Sequence, residues 1–352
     1  MTSADLGWAQ APEPVAQPAA DPAVFVEALM RQQELPSLSV AVGRPGQPVY
    51  TLAVGVADLE LGAPATSESV YRVGSVTKAI TATAVLQLAE EGLLDLDSPV
   101  ERYCEVFPAR EVSPTPRLLL SHLAGIRHYN YQRFTEEFLS ARRYESLNDA
   151  VSIFKADPLV ATPGEKYLYS SFGYVLLGCA VEGAGGISFA EYLKTNIFEP
   201  AGMSHTRLDV PEEIVPNRTR TYSRASDGSL MNSPFVDLSD RYPAGGLLAT
   251  PADLVAFGRA LIEGELLGRE SWAAMRQPQR TLSGEDVGYG LGWNVSDDPG
   301  ELFHGGTSVG GSAYLLLDLD SGIVVALATN VDRWTAPRHD LALQLAAWAE
   351  AQ

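Results

Sequence analysis

The 352-residue chain has only two cysteines, Cys104 and Cys179, so no disulfide framework and no thiolate zinc site is expected. Cys179 lies in the apolar run Val175-Leu176-Leu177-Gly178-Cys179-Ala180, where a thiol is expected to pack as a small hydrophobe. The five histidines, at 122, 128, 205, 304 and 339, lack the spacing to carboxylates that a metal-binding helix needs. No metal or other cofactor is expected. Positive charge is scarce as well. Lys and Arg number 25 against 44 Asp and Glu, for a formal charge of −19. Such a field repels nucleic acid and anionic membrane surfaces and serves solubility. No run reaches the ~18 apolar residues of a membrane span. These exclusions leave a small-molecule or peptide substrate open, and no feature signals an oligomeric state. The first twenty residues lack a basic start and an apolar stretch of roughly 7–15 residues, so no secretory signal is visible. Residues 1–20 read as a disordered tail and the chain, as it stands, as cytoplasmic. An exported protein whose leader had been removed would read the same.

What is present is a change of pattern along the chain. Asp21 to Gln33 reads as a helix, and Ser37 to Val42 and Val49 to Val54 as strands joined through Gly43-Arg44-Pro45-Gly46. From Ser75 to about residue 210 helices dominate, including Arg117 to Ala124 closed by Gly125. Thr250-Pro251-Ala252-Asp253 carries a capping hydroxyl, a proline at the first helical position and an acid in the first turn, which predicts a helix to about Glu263. Strands return at Leu302 to Gly306, Ser312 to Asp318 and Ile323 to Ala328, with Asp320-Ser321-Gly322 as a turn, and His339 to Ala349 closes the chain as a helix. Strands at both ends and helices between them imply an α/β fold with an inserted helical domain. Residues 21–72 and 211–352 form its sheet domain and 73–210 the mainly helical one. An active site is expected in the cleft between them.

Ser75-Val76-Thr77-Lys78 places a hydroxyl and an amine one helical turn apart, hence on one face. The following Ala79-Ile80-Thr81-Ala82-Thr83-Ala84-Val85-Leu86 is small or apolar nearly all round, so the helix belongs in a core. A lysine desolvated there loses basicity and can take the proton of Ser75 as it attacks a carbonyl carbon. Ser152-Ile153-Phe154-Lys155 repeats the spacing, but Ala156-Asp157-Pro158 cuts that helix short and leaves the amine no buried turn.

Two further elements suit an acyl-transfer site. Tyr169-Ser170-Ser171 leads into the apolar helix beginning Phe172-Gly173-Tyr174, and a tyrosine beside a lysine ammonium can have its pKa lowered enough to shuttle protons to a leaving group. Tyr144-Glu145-Ser146 shows the same pattern with no such setting. His304-Gly305-Gly306 precedes a hairpin, and paired glycines would let a substrate backbone approach the strand edge. The backbone N–H groups of Ser75 and Thr307 would then form an oxyanion hole. Tyr129, Tyr242, Tyr289 and Trp293 could wall the pocket, Tyr289 and Trp293 within the glycine-rich run Gly288-Tyr289-Gly290-Leu291-Gly292-Trp293.

In order and context these motifs resemble those of the serine β-lactamase and penicillin-binding-protein superfamily: SxxK, Y-x-N/S and a K/H-T/S/G-G strand. The class C-like branch matches best, with its DD-peptidases, D-amino-acid amidases, family VIII esterases and animal mitochondrial β-lactamase-like serine proteases. Ser121-His122-Leu123-Ala124-Gly125-Ile126-Arg127-His128-Tyr129 is similar to the SHxSGIRHY stretch of the mitochondrial group, and Tyr169-Ser170-Ser171-Phe172-Gly173-Tyr174 to its YSTFGY. Ala244-Gly245-Gly246-Leu247-Leu248-Ala249-Thr250-Pro251-Ala252-Asp253-Leu254 is also typical of the branch. The resemblance runs from about residue 22 to the C-terminus. It implies a β-lactamase/transpeptidase-like fold, an antiparallel sheet flanked by helices. Carried over residue by residue, it makes Ser75 the nucleophile, Lys78 the base for acylation and Tyr169 the proton relay. Ser171, His304, Gly305 and Gly306 would bind substrate. Ser171 stands where class C β-lactamases have asparagine and His304 where they have a charged lysine, and both changes weaken recognition of a β-lactam amide and carboxylate. The expected activity is therefore that of a carboxylesterase with weak β-lactam turnover, and the alternative a serine peptidase or D-amino-acid amidase.

Two rival readings differ in kind. Gly306-Thr307-Ser308-Val309-Gly310 fits the G-x-S-x-G nucleophile elbow, but that elbow requires a helix after the serine, where this sequence predicts a strand and a turn. A non-catalytic sensor or scaffold could share the fold, since function resides in the site rather than the architecture.

Overall fold

The computed structural model describes residues 21–296, 300–334 and 336–352. The tail expected over residues 1–20 lies outside them. Seven strands form the main sheet in the order Ala63–Pro64, Tyr50–Asp58, Ser37–Gly43, Ile323–Thr329, Gly311–Asp318, Glu301–Ser308, Asn294–Val295, and every pairing is antiparallel. The first and last thirds of the chain meet where Ser39 pairs with Ala328.

The alternation of side chains along a strand divides the apolar residues between two faces. Val40, Val42, Leu316, Val325 and Leu327 pack under the Pro22–Gln32 and Arg338–Glu350 helices with Val26, Leu341 and Leu345. Ala41, Leu315, Leu317, Val324, Ala326 and Ala328 face the larger core, shared with the Pro251–Ile262 helix and the central helices. Each such valine or leucine withdrawn from water contributes about 1.5–3 kcal/mol. Thr250 caps the Pro251–Ile262 helix, its hydroxyl accepting from the Asp253 N–H at 3.0 Å, as its sequence requires. Among the described residues no single helix is long and apolar enough to cross a membrane.

Two expectations are corrected. Cys104 and Cys179 form a disulfide, with Cα atoms 5.4 Å apart across 75 residues of sequence. The apolar run around Cys179 is the buried stretch of the Ser171–Gly185 helix, and the loop carrying Cys104 lies against it. That approach is so close that a methyl group on Gly183 would meet the carbonyl oxygen of Tyr103. The helix expected from Arg117 to Ala124 stops at Leu120. His122 turns into the left-handed region, at φ 59°, and takes the chain out of the helix.

Candidate active site

Gly74 opens the site at φ +52°, a conformation that glycine adopts without penalty. Residues Gly74–Val76 make one tight turn that runs directly into the Thr77–Glu90 helix. Residues 77 to 86 of that helix are all buried, as their composition dictates, so Lys78 is carried wholly out of solvent. Ser75, on the turn, remains half-exposed.

Lys78 Nζ lies 3.1 Å from Ser75 Oγ, 3.2 Å from Ser171 Oγ and 2.7 Å from the carbonyl oxygen of Ala244. Burial holds its pKa well below that of an ordinary lysine, which shifts the balance away from the ammonium and toward the amine. A neutral amine has two N–H bonds and one lone pair. Donation to Ala244 and Ser171 uses the first two and leaves the lone pair for the hydroxyl of Ser75. Tyr169 donates to Ser75 Oγ at 2.9 Å. Its phenol was expected to be acidified by a neighbouring ammonium. Burial instead pushes its pKa up. Tyr169 is thus a neutral donor that can release a proton only as another arrives.

The Glu301–Ser308 strand forms the facing wall. A methyl group on Gly74 would fall 2.6 Å from Thr307 N, and one on Gly306 would collide with Val73 O and fall 2.9 Å from Ser75 N. The chain's own backbone therefore occupies the space that the sequence suggested for a substrate beside Gly306, and the contact brings the Ser75 and Thr307 segments together. A methyl group on Gly305 would meet the Tyr314 ring at 3.5 Å and, farther off, the end of Arg338. His304 is 2% exposed. Its Nε2 is paired with Tyr289 Oη at 3.0 Å and its Nδ1 with the Gly305 carbonyl at 2.8 Å. Burial, reinforced by Lys78, lowers its pKa to about 3, so no cation stands at this position near pH 7.

A cleft of about 80 Å³ reaches Ser75 and is lined by Tyr169, Ser171, His128, Tyr129, Phe138, Arg241 and the Thr307–Ser308 edge, among others. A larger cavity, about 640 Å³, lies away from Ser75 beside Phe198, Met203 and Leu208. It contains none of the Ser75 constellation, and chemistry rather than size locates the site. Of the aromatic residues considered as walls, Tyr129 lines the cleft. Tyr289 and Trp293 are buried within the protein, and Tyr242 accepts from Arg143. Ser308 also lines the cleft, but a hairpin follows it, from Ser308 paired with Gly311 into the Gly311–Asp318 strand, and the helix that an elbow needs is absent there. Ser152 turns its hydroxyl back onto the Asp149 carbonyl and plays no part in the cleft.

Several cleft residues carried no signal in the sequence. Arg241 is 3% exposed and pairs with Asp240 through Nε at 2.7 Å and Nη2 at 2.9 Å, so its charge is compensated. Its guanidinium lies 5.0 Å from the Tyr129 ring and 5.2 Å from the Phe138 ring. His128 and Phe138 reach the cleft from loops and short turns, where no periodicity marks a side chain's direction. The Ala244 carbonyl is invisible to any residue pattern.

The chain matches the family model described as Beta-lactamase over residues 23–349. It is 32% identical over 298 residues to the serine beta-lactamase-like protein LACTB, mitochondrial, of Homo sapiens, a match covering 66% of this chain and 54% of that protein. It is 31% identical over 328 residues to penicillin-binding protein 4 of Amycolatopsis lactamdurans, covering 86% of this chain and 83% of that one. Among solved structures, a D-stereospecific amidohydrolase from Streptomyces sp. superposes with a TM-score of 0.76 at 27% identity, over 91% of this chain and 97% of that one. The chain spans about half the length of the mitochondrial relatives it matches.

Proposed function

The chain belongs to the β-lactamase family, within the serine β-lactamase and penicillin-binding-protein superfamily, and from that premise we propose that it is a serine hydrolase acting on short-chain carboxylic esters through an acyl-enzyme on Ser75. The observation that carries this reading is the Ser75 hydroxyl set 3.1 Å from the buried amine of Lys78 and 2.9 Å from the hydroxyl of Tyr169.

Ser75 Oγ attacks the substrate carbonyl carbon and its proton passes to Lys78 Nζ. The oxygen of the tetrahedral intermediate takes the negative charge against the N–H groups of Ser75 and Thr307. Collapse breaks the bond to the leaving group. Tyr169 gives that group its proton, and the proton held on Lys78 replaces it. Water then attacks the ester of Ser75, Lys78 again receives a proton, and Ser75 leaves as the free hydroxyl.

Ester rather than amide cleavage is favoured by what faces the cleft. An amide nitrogen requires full protonation to depart, whereas an alkoxide needs less help. Neutral His304 and the compensated Arg241 supply no free cation to bind a carboxylate. By the same reasoning a penicillin acylates Ser75 slowly. The likeness to a D-stereospecific amidohydrolase supports amidase action as a second reading. A panel of 4-nitrophenyl butyrate, D- and L-amino-acid amides and a penicillin separates them. The ester is expected to show a kcat/KM on the order of 10²-fold above any amide. An amide at or above the ester would replace the esterase reading with the amidase one.

A further inference from the structure

The stretch Ser121 to Tyr129 has no place in the mechanism above, yet two of its side chains grip the segment that carries Tyr169. His122, in its left-handed conformation, turns its carbonyl onto the Leu168 N–H at 2.8 Å. Its Nδ1 accepts the Ser170 N–H at 3.1 Å, and its ring centroid lies 4.3 Å from that of Tyr169. Both chain neighbours of Tyr169 and its ring are thus held by one residue. His128 continues the pattern by one residue, its Nδ1 accepting the Ser171 N–H at 3.1 Å and its ring meeting Tyr169 edge-on at 5.5 Å.

Ser170 is the N-cap and Ser171 the first residue of the Ser171–Gly185 helix, whose opening N–H groups have no partner within the helix. The Ser170 hydroxyl serves Gly173 N, and the two imidazoles serve Ser170 N and Ser171 N. An imidazole nitrogen accepts only when it carries no proton, so each ring is the tautomer with hydrogen on Nε2. The surroundings maintain that state. Burial, then Lys78, His304 and His128, hold the His122 pKa well down, and burial, then Lys78, Arg241 and Arg127, lower that of His128 to about 4.

We infer that His122 and His128 are positioning residues for the proton relay: as paired acceptors they fix the Leu168–Ser171 backbone so that Tyr169 Oη stays on Ser75 Oγ, and they thereby govern the expulsion of leaving groups that need a proton. The inference rests on the hydrolase reading above. A residue that merely filled space would affect all substrates alike. A residue acting through Tyr169 affects ethyl butyrate, whose alkoxide must be protonated, far more than 4-nitrophenyl butyrate, whose phenolate departs without a proton.

The test is kcat/KM, which reports acylation, for both esters with His122→Phe, His122→Asn, Tyr169→Phe and the His122→Phe/Tyr169→Phe double variant. His122→Phe is expected to lose on the order of 10²-fold on the ethyl ester and less than about fivefold on the nitrophenyl ester. Asparagine, which supplies an acceptor and tolerates the left-handed region, is expected to restore most of the loss. The double variant should be no worse on the ethyl ester than Tyr169→Phe alone. Equal losses on the two esters, or an asparagine variant as poor as phenylalanine, would overturn the inference. Should His122→Phe fail to fold, His122→Gly, which also removes the acceptor and tolerates the left-handed backbone, carries the same comparison. Fluorophosphonate labelling of Ser75 keeps the two levels apart. A labelled Ser75 with no leaving-group discrimination defeats the positioning role alone, whereas an unlabelled Ser75 defeats the hydrolase reading and this inference with it.

Discussion

Lys78→Met is expected to lower kcat/KM for esters by on the order of 10³-fold while making the protein more stable. The two effects have one cause. The amine lies wholly buried among Ser75, Ser171 and Ala244, and burial holds its pKa well below the usual lysine value. In the unfolded chain the same lysine is protonated below about pH 10.4, so folding releases a proton and becomes less favourable as the pH falls. That loss continues until the pH reaches the folded pKa and then levels off. Methionine removes it, and the stability gained by the variant should therefore be larger at pH 6 than at pH 9, as urea unfolding at the two values would show. Activity follows the same titration. Once the pH drops below the folded pKa the amine is charged, cannot accept the Ser75 proton, and the rate falls on the acid side. Lys78→Arg, charged at every accessible pH, should be as inactive as methionine without the gain in stability. A methionine variant that retained activity would remove Lys78 from the mechanism.

The second large effect is expected at Gly306→Ala, with a loss in kcat on the order of 10²–10³-fold, the cost of one oxyanion donor. The added methyl would collide with Val73 O and lie 2.9 Å from Ser75 N. Both are backbone atoms that no rotamer can move aside. The Glu301–Ser308 strand must then retreat from the Gly74–Val76 turn and take Thr307 N away from Ser75 N. Gly305→Ala is the control one residue earlier. Its methyl meets the Tyr314 ring at 3.5 Å, an ordinary contact, and kcat should change by less than about threefold. Comparable losses in the two variants would show that the oxyanion hole does not depend on this backbone contact.

The legible parts of the molecule were those in which burial and periodicity coincide. The small and apolar residues after Lys78 foretold a helix sunk in the core. The largely apolar runs Ser37 to Val42, Ser312 to Asp318 and Ile323 to Ala328, bounded by turn residues, foretold strands from both ends of the chain, although not that Ser39 would lie against Ala328. The rest depends on what the fold brings together. Cys179 reads as a core residue until the loop bearing Cys104 is laid beside it. The helix beginning at Pro116 continues on paper to Ala124, since no local residue forbids it. It ends at Leu120 because His122 is committed to Leu168 and Ser170, 46 and 48 residues later. Tyr169 was expected to be acidified by a charged Lys78, and only the depth of the site shows that burial dominates, lowering the pKa of the amine and raising that of the phenol. The glycine pair after His304 marked close approach correctly in kind, but the approaching backbone at Gly306 belongs to Val73 and Ser75.

Intact mass after incubation with a fluorophosphonate, for the wild type, Ser75→Ala and Ser308→Ala, tests most directly whether Ser75 is the nucleophile. One adduct per chain is predicted for the wild type and for Ser308→Ala, and none for Ser75→Ala. An adduct that survives in Ser75→Ala, or a wild type that takes none, would contradict an acyl-enzyme on Ser75 and return the fold to the sensor or scaffold reading or to another nucleophile.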